Sequence, residues 1–176
     1  MKAKPRPDPI IKKDHALIPV RNGNQWLWAK IDIEDLERVK KYNWSLSGTG
    51  HIHAGIQDKA ICIHNFILRT NKLIDHLDGI RLNNQRSNLR LCTKQENNWN
   101  QRKTKNQRTS KYKGVCLDKG RNKFRSTISL NNNQIWIGYF DTETEAASAY
   151  DEKARELFGK FGRFNFPKEN EQSVFI

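Results

Sequence analysis

The stretch LIDHLDGIRLNNQRSNLRLCTKQENNWNQR, residues 73–102, decides how the N-terminal half of this 176-residue chain is read. Asp75 and His76 close a short apolar strand, and Leu77-Asp78-Gly79 follows as a turn. A polar, asparagine-rich loop leads to a second short strand, Leu89-Arg90-Leu91-Cys92. Thr93-Lys94-Gln95-Glu96 then has the form of a capping box, so a helix is expected from Lys94, with Asn97, Asn98 and Trp99 in its first two turns. A strand, loop, strand, helix unit of this kind can bring Asp75, His76 and Asn97 together.

That trio suits a phosphodiester. A carboxylate and an amide oxygen are hard donors for a divalent cation such as magnesium, which keeps several waters and also binds phosphate oxygen. A neutral imidazole beside them can take a proton from an attacking water. The cation would meet charge on the transition state and on the leaving 3′ oxygen. The plainer alternative is that Asp-His opens a turn and the asparagines brace loops; Asn97 alone would carry little in a chain so rich in asparagine.

Working upstream, the turn Arg21-Asn22-Gly23-Asn24 reads as a hairpin between short apolar groups from Ala16 to Trp28. Asp32 is placed to cap a short helix with Ile33, Leu36, Val39 and Trp44 on its apolar side. Strands are expected around 51–56 and 59–64, joined by Gln57-Asp58. His51 and His53 share one strand face, but no third ligand of suitable spacing appears, and exposed strand histidines explain them more simply. Residues 1–14, opened by three prolines, and 168–176 read as tails.

Charge points to the partner. Lys and Arg number 32 against 19 Asp and Glu, a net +13, so a polyanion is the natural ligand. The excess is concentrated: residues 101–125 hold ten basic residues and one acid, Asp118. Positions 101–110, QRKTKNQRTS, have nothing to bury and read as a basic linker suited to a phosphate backbone. Three cysteines, Cys62, Cys92 and Cys116, form no CxxC pair, which favours a reducing intracellular, cytoplasmic compartment. No leader or membrane-length apolar run appears, so no membrane partner is expected.

Downstream, Tyr112-Lys113-Gly114-Val115 opens a strand, 124–130 alternates as a second, and Asn131-Asn132-Asn133 turns into a third at 134–140. Thr142-Glu143-Thr144-Glu145 is a second capping box. Ala146, Ala149, Tyr150, Ala154, Leu157 and Phe158 form a helical stripe that ends at Gly159. The expected fold class is α+β: short strands and helices over 15–100 that end in the strand, loop, strand, helix unit, then a three-stranded antiparallel sheet on one helix at 111–167. The free sheet face would offer Lys113, Lys123, Arg125, Gln134 and Trp136 to duplex DNA.

The string IDHLDGIRLNNQRSNLRLCTKQEN resembles the HNH nuclease family, in particular the homing endonucleases of phage and mobile introns. IHNFIL and DLERVKKYNW extend that resemblance over about residues 15–100, where it implies a ββα-metal nuclease domain. It implies His76 as general base, Asp75 and Asn97 as ligands of magnesium or manganese, and Asn88 as the amide that braces the loop and orients His76. Asn83 and Asn84 would brace the loop as well, and His64 would be structural or phosphate-binding. With an H-N-N pattern and no flanking cysteine pairs, zinc is not expected.

YKGV, FRSTI, IWIGYFDTETEAASAYDEKARELFG and FNFP resemble the Apetala-two/ethylene-response-factor DNA-binding domain. The resemblance places Lys113, Gln134 and Trp136 at DNA-contact positions, with Lys123 and Tyr150 toward phosphates. Cys116 and Asp118 stand where plant members use arginines, and Thr127 and Ser129 replace charged readers, so the plant target sequence does not carry over. The combined expectation is a site-specific homing endonuclease acting on double-stranded DNA, with a monomer favoured. The rival is a non-catalytic DNA-binding transcription regulator with a relic nuclease domain, against which the intact Asp75, His76, Asn88 and Asn97 argue.

Overall fold

Two left-handed loop positions, Gly23 at φ 57° and the pair Gln57 and Asp58 at φ 48° and 59°, fold the first half of the chain into hairpins. The computed structural model describes residues 5–101, 109–169 and 171–173, and the chain divides into two compact units, Met1–Cys92 and Thr93–Ile176.

The first unit runs β1 (Ile10–Ile11), β2 (Ala16–Asn22), β3 (Gln25–Ile31), a 3₁₀ turn (Ile33–Asp35), α1 (Leu36–Val39), β4 (Trp44–Leu46), β5 (Ile52–Ile56), β6 (Lys59–Cys62), α2 (Ile63–Leu68), β7 (Ile74–His76) and β8 (Leu89–Leu91). Six strands form one sheet in the order β1-β2-β4-β5-β6, with β3 on the other edge of β2. Ile18, Val20, Ile31, Val39, Trp44, Ile52, Ile63 and Ile67 are buried in its core. Burying side chains of this size contributes roughly 1.5–3 kcal/mol each. Trp44 also needs a partner for its indole N–H and donates to Val39 O at 2.8 Å.

Several expectations are corrected here. Residues before Asp14 are not a loose tail: Ile10 and Ile11 pair with Leu17 and Ala16, and Arg6 donates to Asn43 Oδ1 and Lys40 O. Asp32 stands at the expected helix start but makes no cap bond; its carboxylate accepts from Gln85 Nε2 and Arg86 N instead. Ile33 is exposed, whereas Leu36 and Val39 are buried. His64 lies in α2 rather than at the end of a strand.

Those Asp32 bonds fasten the loop that joins β7 to β8. Lys30 N donates to Leu82 O and Asn84 N to Lys30 O, both at 2.7 Å. Arg86 binds the buried Asp35 through Nε and Nη2, each at 2.9 Å. An otherwise irregular asparagine-rich loop thus takes its shape from β3 and the 3₁₀ turn that follows it.

The second unit comprises α3 (Lys94–Trp99), β9 (Val115–Asp118), β10 (Lys123–Leu130), β11 (Asn133–Phe140), α4 (Glu143–Phe158), β12 (Arg163–Phe164) and β13 (Gln172–Ser173). The sheet order is β11-β10-β9, all antiparallel, and α4 packs on it through Tyr150, Ala154 and Phe158. Both capping boxes form, at Thr93 with Glu96 and at Thr142 with Glu145. Asn131 and Asn132, at φ 53° and 63°, make the tight loop between β10 and β11.

Three differences matter in this unit. On α4 the buried positions include Ala147 and Asp151, while Ala149 is half-buried. The Asp151 carboxylate, which burial pushes above its usual pKa, accepts from Asn165 N and Phe166 N, anchoring the FNF segment. The C-terminal residues are not simply a tail: β13 pairs parallel with β12, and Glu171 takes two bonds from Arg155. The basic linker falls largely outside the described residues. No helix among the described residues is long and apolar enough to cross a membrane.

Candidate active site and nucleic-acid interface

In the β7–β8 pair Asp75 lies opposite Arg90 and His76 opposite Leu89. Neighbours on a strand point to opposite faces, so Asp75 and His76 meet different surroundings. Asp75 is buried, and Arg90 donates to its Oδ2 through Nε at 2.9 Å and Nη2 at 2.6 Å. Such a charge-assisted, two-donor pair fixes the carboxylate firmly.

His76 is buried against Asn84, with Nε2 and the amide Oδ1 at 3.2 Å. Asn84 Nδ2 donates to Arg81 O at 3.0 Å, which orients the amide and leaves Oδ1 toward the ring. An amide oxygen only accepts, so Nε2 carries the proton and Nδ1 is the basic nitrogen. Burial holds the His76 pKa below its usual value, against the opposing pull of Asn84. His64 lies edge-on at 5.3 Å and His51 stands 6.3 Å beyond it. Burial and the two neighbouring rings bring His64 down to about 4, and burial lowers His51 as well. His51 is therefore half-buried in an edge-to-face cluster of three rings rather than an exposed strand histidine.

Asn88 ties the turn after His76 to β8. Its backbone oxygen accepts from Leu77 N, its Oδ1 from Asp78 N, and its Nδ2 donates to Asp78 Oδ1 and Asn83 O. Asn83 adds a bond to Asp78 Oδ2 at 2.7 Å. The first unit therefore holds Asp75 and His76 on β7 and Asn88 in the 3₁₀ turn (Arg86–Asn88) that leads into β8. Asn97 sits half-buried on α3, in the second unit.

Among the described residues no group of three or more His, Cys, Asp or Glu is arranged for a metal ion. The chemistry of the Asp75 carboxylate and the Asn97 amide still fits a hard cation. A cation at Asp75 would share that carboxylate with the Arg90 guanidinium.

On the second unit, cross-strand partners define the outer sheet face: Cys116 with Arg125, Thr127 with Trp136, Ser129 with Gln134 and Arg125 with Tyr139. Ser126 pairs with Gly138 and Thr127 with Trp136, so Ile137 is an extra residue in a bulge. The bulge turns Tyr139 onto the same face as Trp136, which simple alternation does not predict. Trp136 is 52% exposed and meets the Tyr139 ring edge-on at 4.7 Å. Arg121 lies over Tyr139 at 5.1 Å, and the Tyr139 hydroxyl donates to Asp118 Oδ2.

Of the expected contacts, Arg125, Gln134 and Trp136 occupy this face and are exposed. Lys123 is exposed at its edge and pairs with Asp141 at 3.0 Å. Two residues are elsewhere. Tyr150 is buried in the α4 core beside Ile128, Ala154, Phe158 and Phe164, with no surface for a phosphate. Lys113 precedes β9, and its ammonium donates to Trp99 O and Gln101 O at 2.7 and 2.8 Å; burial brings its pKa down to about 8.

Sequence reasoning missed the specific roles of Asn84, Arg90 and Tyr139. The Asp75–Arg90 spacing fits two adjacent antiparallel strands, a signal available in hindsight; the bulge that exposes Tyr139 has only Gly138 as a cue.

A sequence model described as HNH endonuclease matches residues 69–99. An uncharacterized HNH endonuclease, L560, of Acanthamoeba polyphaga mimivirus is 31% identical over 146 residues, covering 78% of this chain and 74% of the relative. Protein 3.8 of Escherichia phage T7 is 40% identical over 91 residues, 52% of this chain and 74% of the relative. The C-terminal part is similar to plant transcription factors: dehydration-responsive element-binding protein 2A of Arabidopsis thaliana is 45% identical over 42 residues, 24% of this chain and 12% of the relative. No solved structure gives a significant match. The matched motif and the mimivirus alignment, which runs along most of both chains, agree, and the chain belongs to the HNH endonuclease family.

Proposed function

We propose that the chain is a site-specific DNA endonuclease of the homing type, hydrolysing phosphodiester bonds in duplex DNA with one divalent cation. The observation that carries this reading is the His76–Asn84 bond, which gives a buried neutral imidazole a defined basic nitrogen. In this reading His76 accepts the proton of the attacking water at Nδ1, in line with the scissile phosphate. Asn84 holds the ring, and Asn88 fixes the turn that follows it. Asp75 and Asn97 would hold magnesium, or manganese in its place. When bound, that ion supplies Lewis-acid stabilisation of charge on the phosphate and the departing 3′ oxygen.

The second unit supplies residence on double-stranded DNA. Arg125, Gln134, Trp136 and Tyr139 present cationic, amide and aromatic surface on one face, the combination that meets phosphate, base edges and sugars. A second module tethered to a nuclease raises its effective concentration on the duplex. The three free cysteines suit a reducing intracellular compartment, and the proposed acting species is a monomer.

The test is cleavage of the intron-less and intron-bearing forms of the host locus in magnesium, read on a sequencing gel. His76→Ala is expected to lose roughly 10²–10⁴-fold in rate, the usual worth of a general base, with DNA affinity unchanged. Normal cutting by that variant, or full wild-type cutting in excess EDTA, would sink the assignment.

A further inference from the structure

The family match covers residues 69–99, but the boundary between the two compact units falls at Cys92 and Thr93. The last segment of the nuclease motif, α3, is therefore built into the C-terminal unit. A six-residue helix is far too short to persist by itself in water, so what surrounds α3 decides whether it is ordered.

Those surroundings are specific. Thr93 and Glu96 close the N-terminal end with a reciprocal capping box. At the other end Lys113 Nζ takes the Trp99 and Gln101 carbonyls. A cation donating there satisfies orphan acceptors and suits the negative end of a helix. The Trp99 ring stacks on Phe158 with centroids 4.6 Å apart and planes 16° from parallel. Asn100, 4% exposed, accepts from Nε of the fully buried Arg163 at 3.1 Å, and Gln95 donates to Asn131. Asn97 takes part in none of these side-chain contacts. The helix is gripped around it.

We propose that Trp99, Asn100, Lys113 and Arg163 are positioning residues of the nuclease, through which the C-terminal unit sets the place of Asn97 while also binding DNA. The inference rests on the reading of Asn97 as a metal ligand. It gives the C-terminal unit a second task, and it explains why Lys113 is turned to backbone carbonyls instead of the outer sheet face.

The experiment uses the full chain, with and without duplex DNA. Manganese binding is followed by the electron paramagnetic resonance signal of the free ion, alongside the magnesium midpoint of cleavage, DNA affinity in EDTA and thermal melting. Lys113→Met and Trp99→Ala are expected to weaken manganese binding and raise the magnesium midpoint by about fivefold or more, the scale of a modest coupling between sites. DNA affinity in EDTA stays at the wild-type value, and Trp99→Phe, which keeps a ring on Phe158, restores metal binding. If Trp99→Ala melts the chain, Lys113→Met and Trp99→Phe carry the test. Asn97→Ala separates the two levels. If it leaves metal binding untouched, the ligand reading fails and this inference falls with it. If it weakens metal binding but Lys113→Met does not, or if Lys113→Met loses DNA affinity instead, the positioning role is overturned and the ligand reading stands.

Discussion

The His76 imidazole and the Asn84 side-chain amide meet at 3.2 Å inside the first unit, with Asn84 wholly buried. Asn84 cannot rotate at will, because its Nδ2 is bound to Arg81 O and its backbone N–H to Lys30 O. The orientation of the proposed base is thus traced, through one amide, to the third strand of the main sheet.

That chain of contacts predicts the behaviour of Asn84→Ala. The ring of His76 keeps its place on β7 but loses the acceptor that selects its tautomer. Because a small misplacement of a reacting group can cost about 10²-fold, kcat is expected to fall about 10–100-fold with KM and DNA affinity unchanged. Steady-state kinetics on a defined duplex checks it. An unchanged kcat would show that Asn84 only braces the loop.

The edge-to-face cluster of His51, His64 and His76 makes a second prediction, on stability. His64 has a pKa of about 4 in the folded chain against an ordinary 6.5. Below pH 6.5 the unfolded chain takes up a proton that the folded chain refuses, so stability falls as pH drops and the loss is complete near pH 4. The window corresponds to about 3 kcal/mol at most. His64→Phe removes that proton, so its melting temperature should decline less steeply than wild type between pH 6.5 and 4. Parallel melting curves for the two proteins would refute the assignment.

How much of this was legible in the sequence follows from range. Local signals read directly: both capping boxes, the Gln57-Asp58 and Asn131-Asn132 loops and the alternation of β10 depend on residues within a few positions of each other. The closeness of Asp75, His76 and Asn88 was legible because a motif holds them at fixed spacing, two on β7 and one in the turn that leads into β8. The misses are long-range. Asp32 looked like a helix cap, yet its carboxylate is taken by Gln85 and Arg86 more than fifty residues away. Lys113 looked like a surface cation, but carbonyls of α3 lie within its reach. Tyr150 sits on the apolar stripe of α4, so its burial was implied by the same pattern that predicted the helix, and the phosphate role conflicts with that stripe.

The outer sheet face gives a third prediction, built on a contrast. Trp136 is exposed and supported edge-on by Tyr139, so Trp136→Ala removes contact area without opening the core. Losing an interfacial aromatic of this kind is expected to cost about 1–2 kcal/mol of DNA affinity with the salt dependence preserved. Arg125→Ala, by contrast, should lower the slope of log affinity against log salt by about 1, one phosphate contact fewer. Binding isotherms at several salt concentrations separate the two, and a Trp136→Ala protein that melts early would place that ring in the core.

The last prediction concerns the glycine that lets the second unit close. Gly114 has φ 78°, a conformation that side-chain-bearing residues adopt only with strain. Its backbone oxygen accepts from Thr127 N at 2.9 Å, which fixes the segment against β10. A Cβ at this position would drive into the Tyr150 ring and lie 2.8 Å from Thr127 O. Tyr150 cannot retreat, because its ring is packed in the core with Ile128, Ala154, Phe158 and Phe164. Gly114→Ala therefore combines backbone strain with overpacking, and a loss of about 2–4 kcal/mol in stability is expected. Tyr150→Phe keeps the ring and removes only the hydroxyl, so it should leave DNA affinity unaltered and cost little stability. Denaturant unfolding of the two variants, with a DNA-binding isotherm for Tyr150→Phe, is the measurement. A Gly114→Ala protein as stable as wild type would mean that this turn is not closed on Tyr150. A large loss of affinity in Tyr150→Phe would put the hydroxyl on DNA after all.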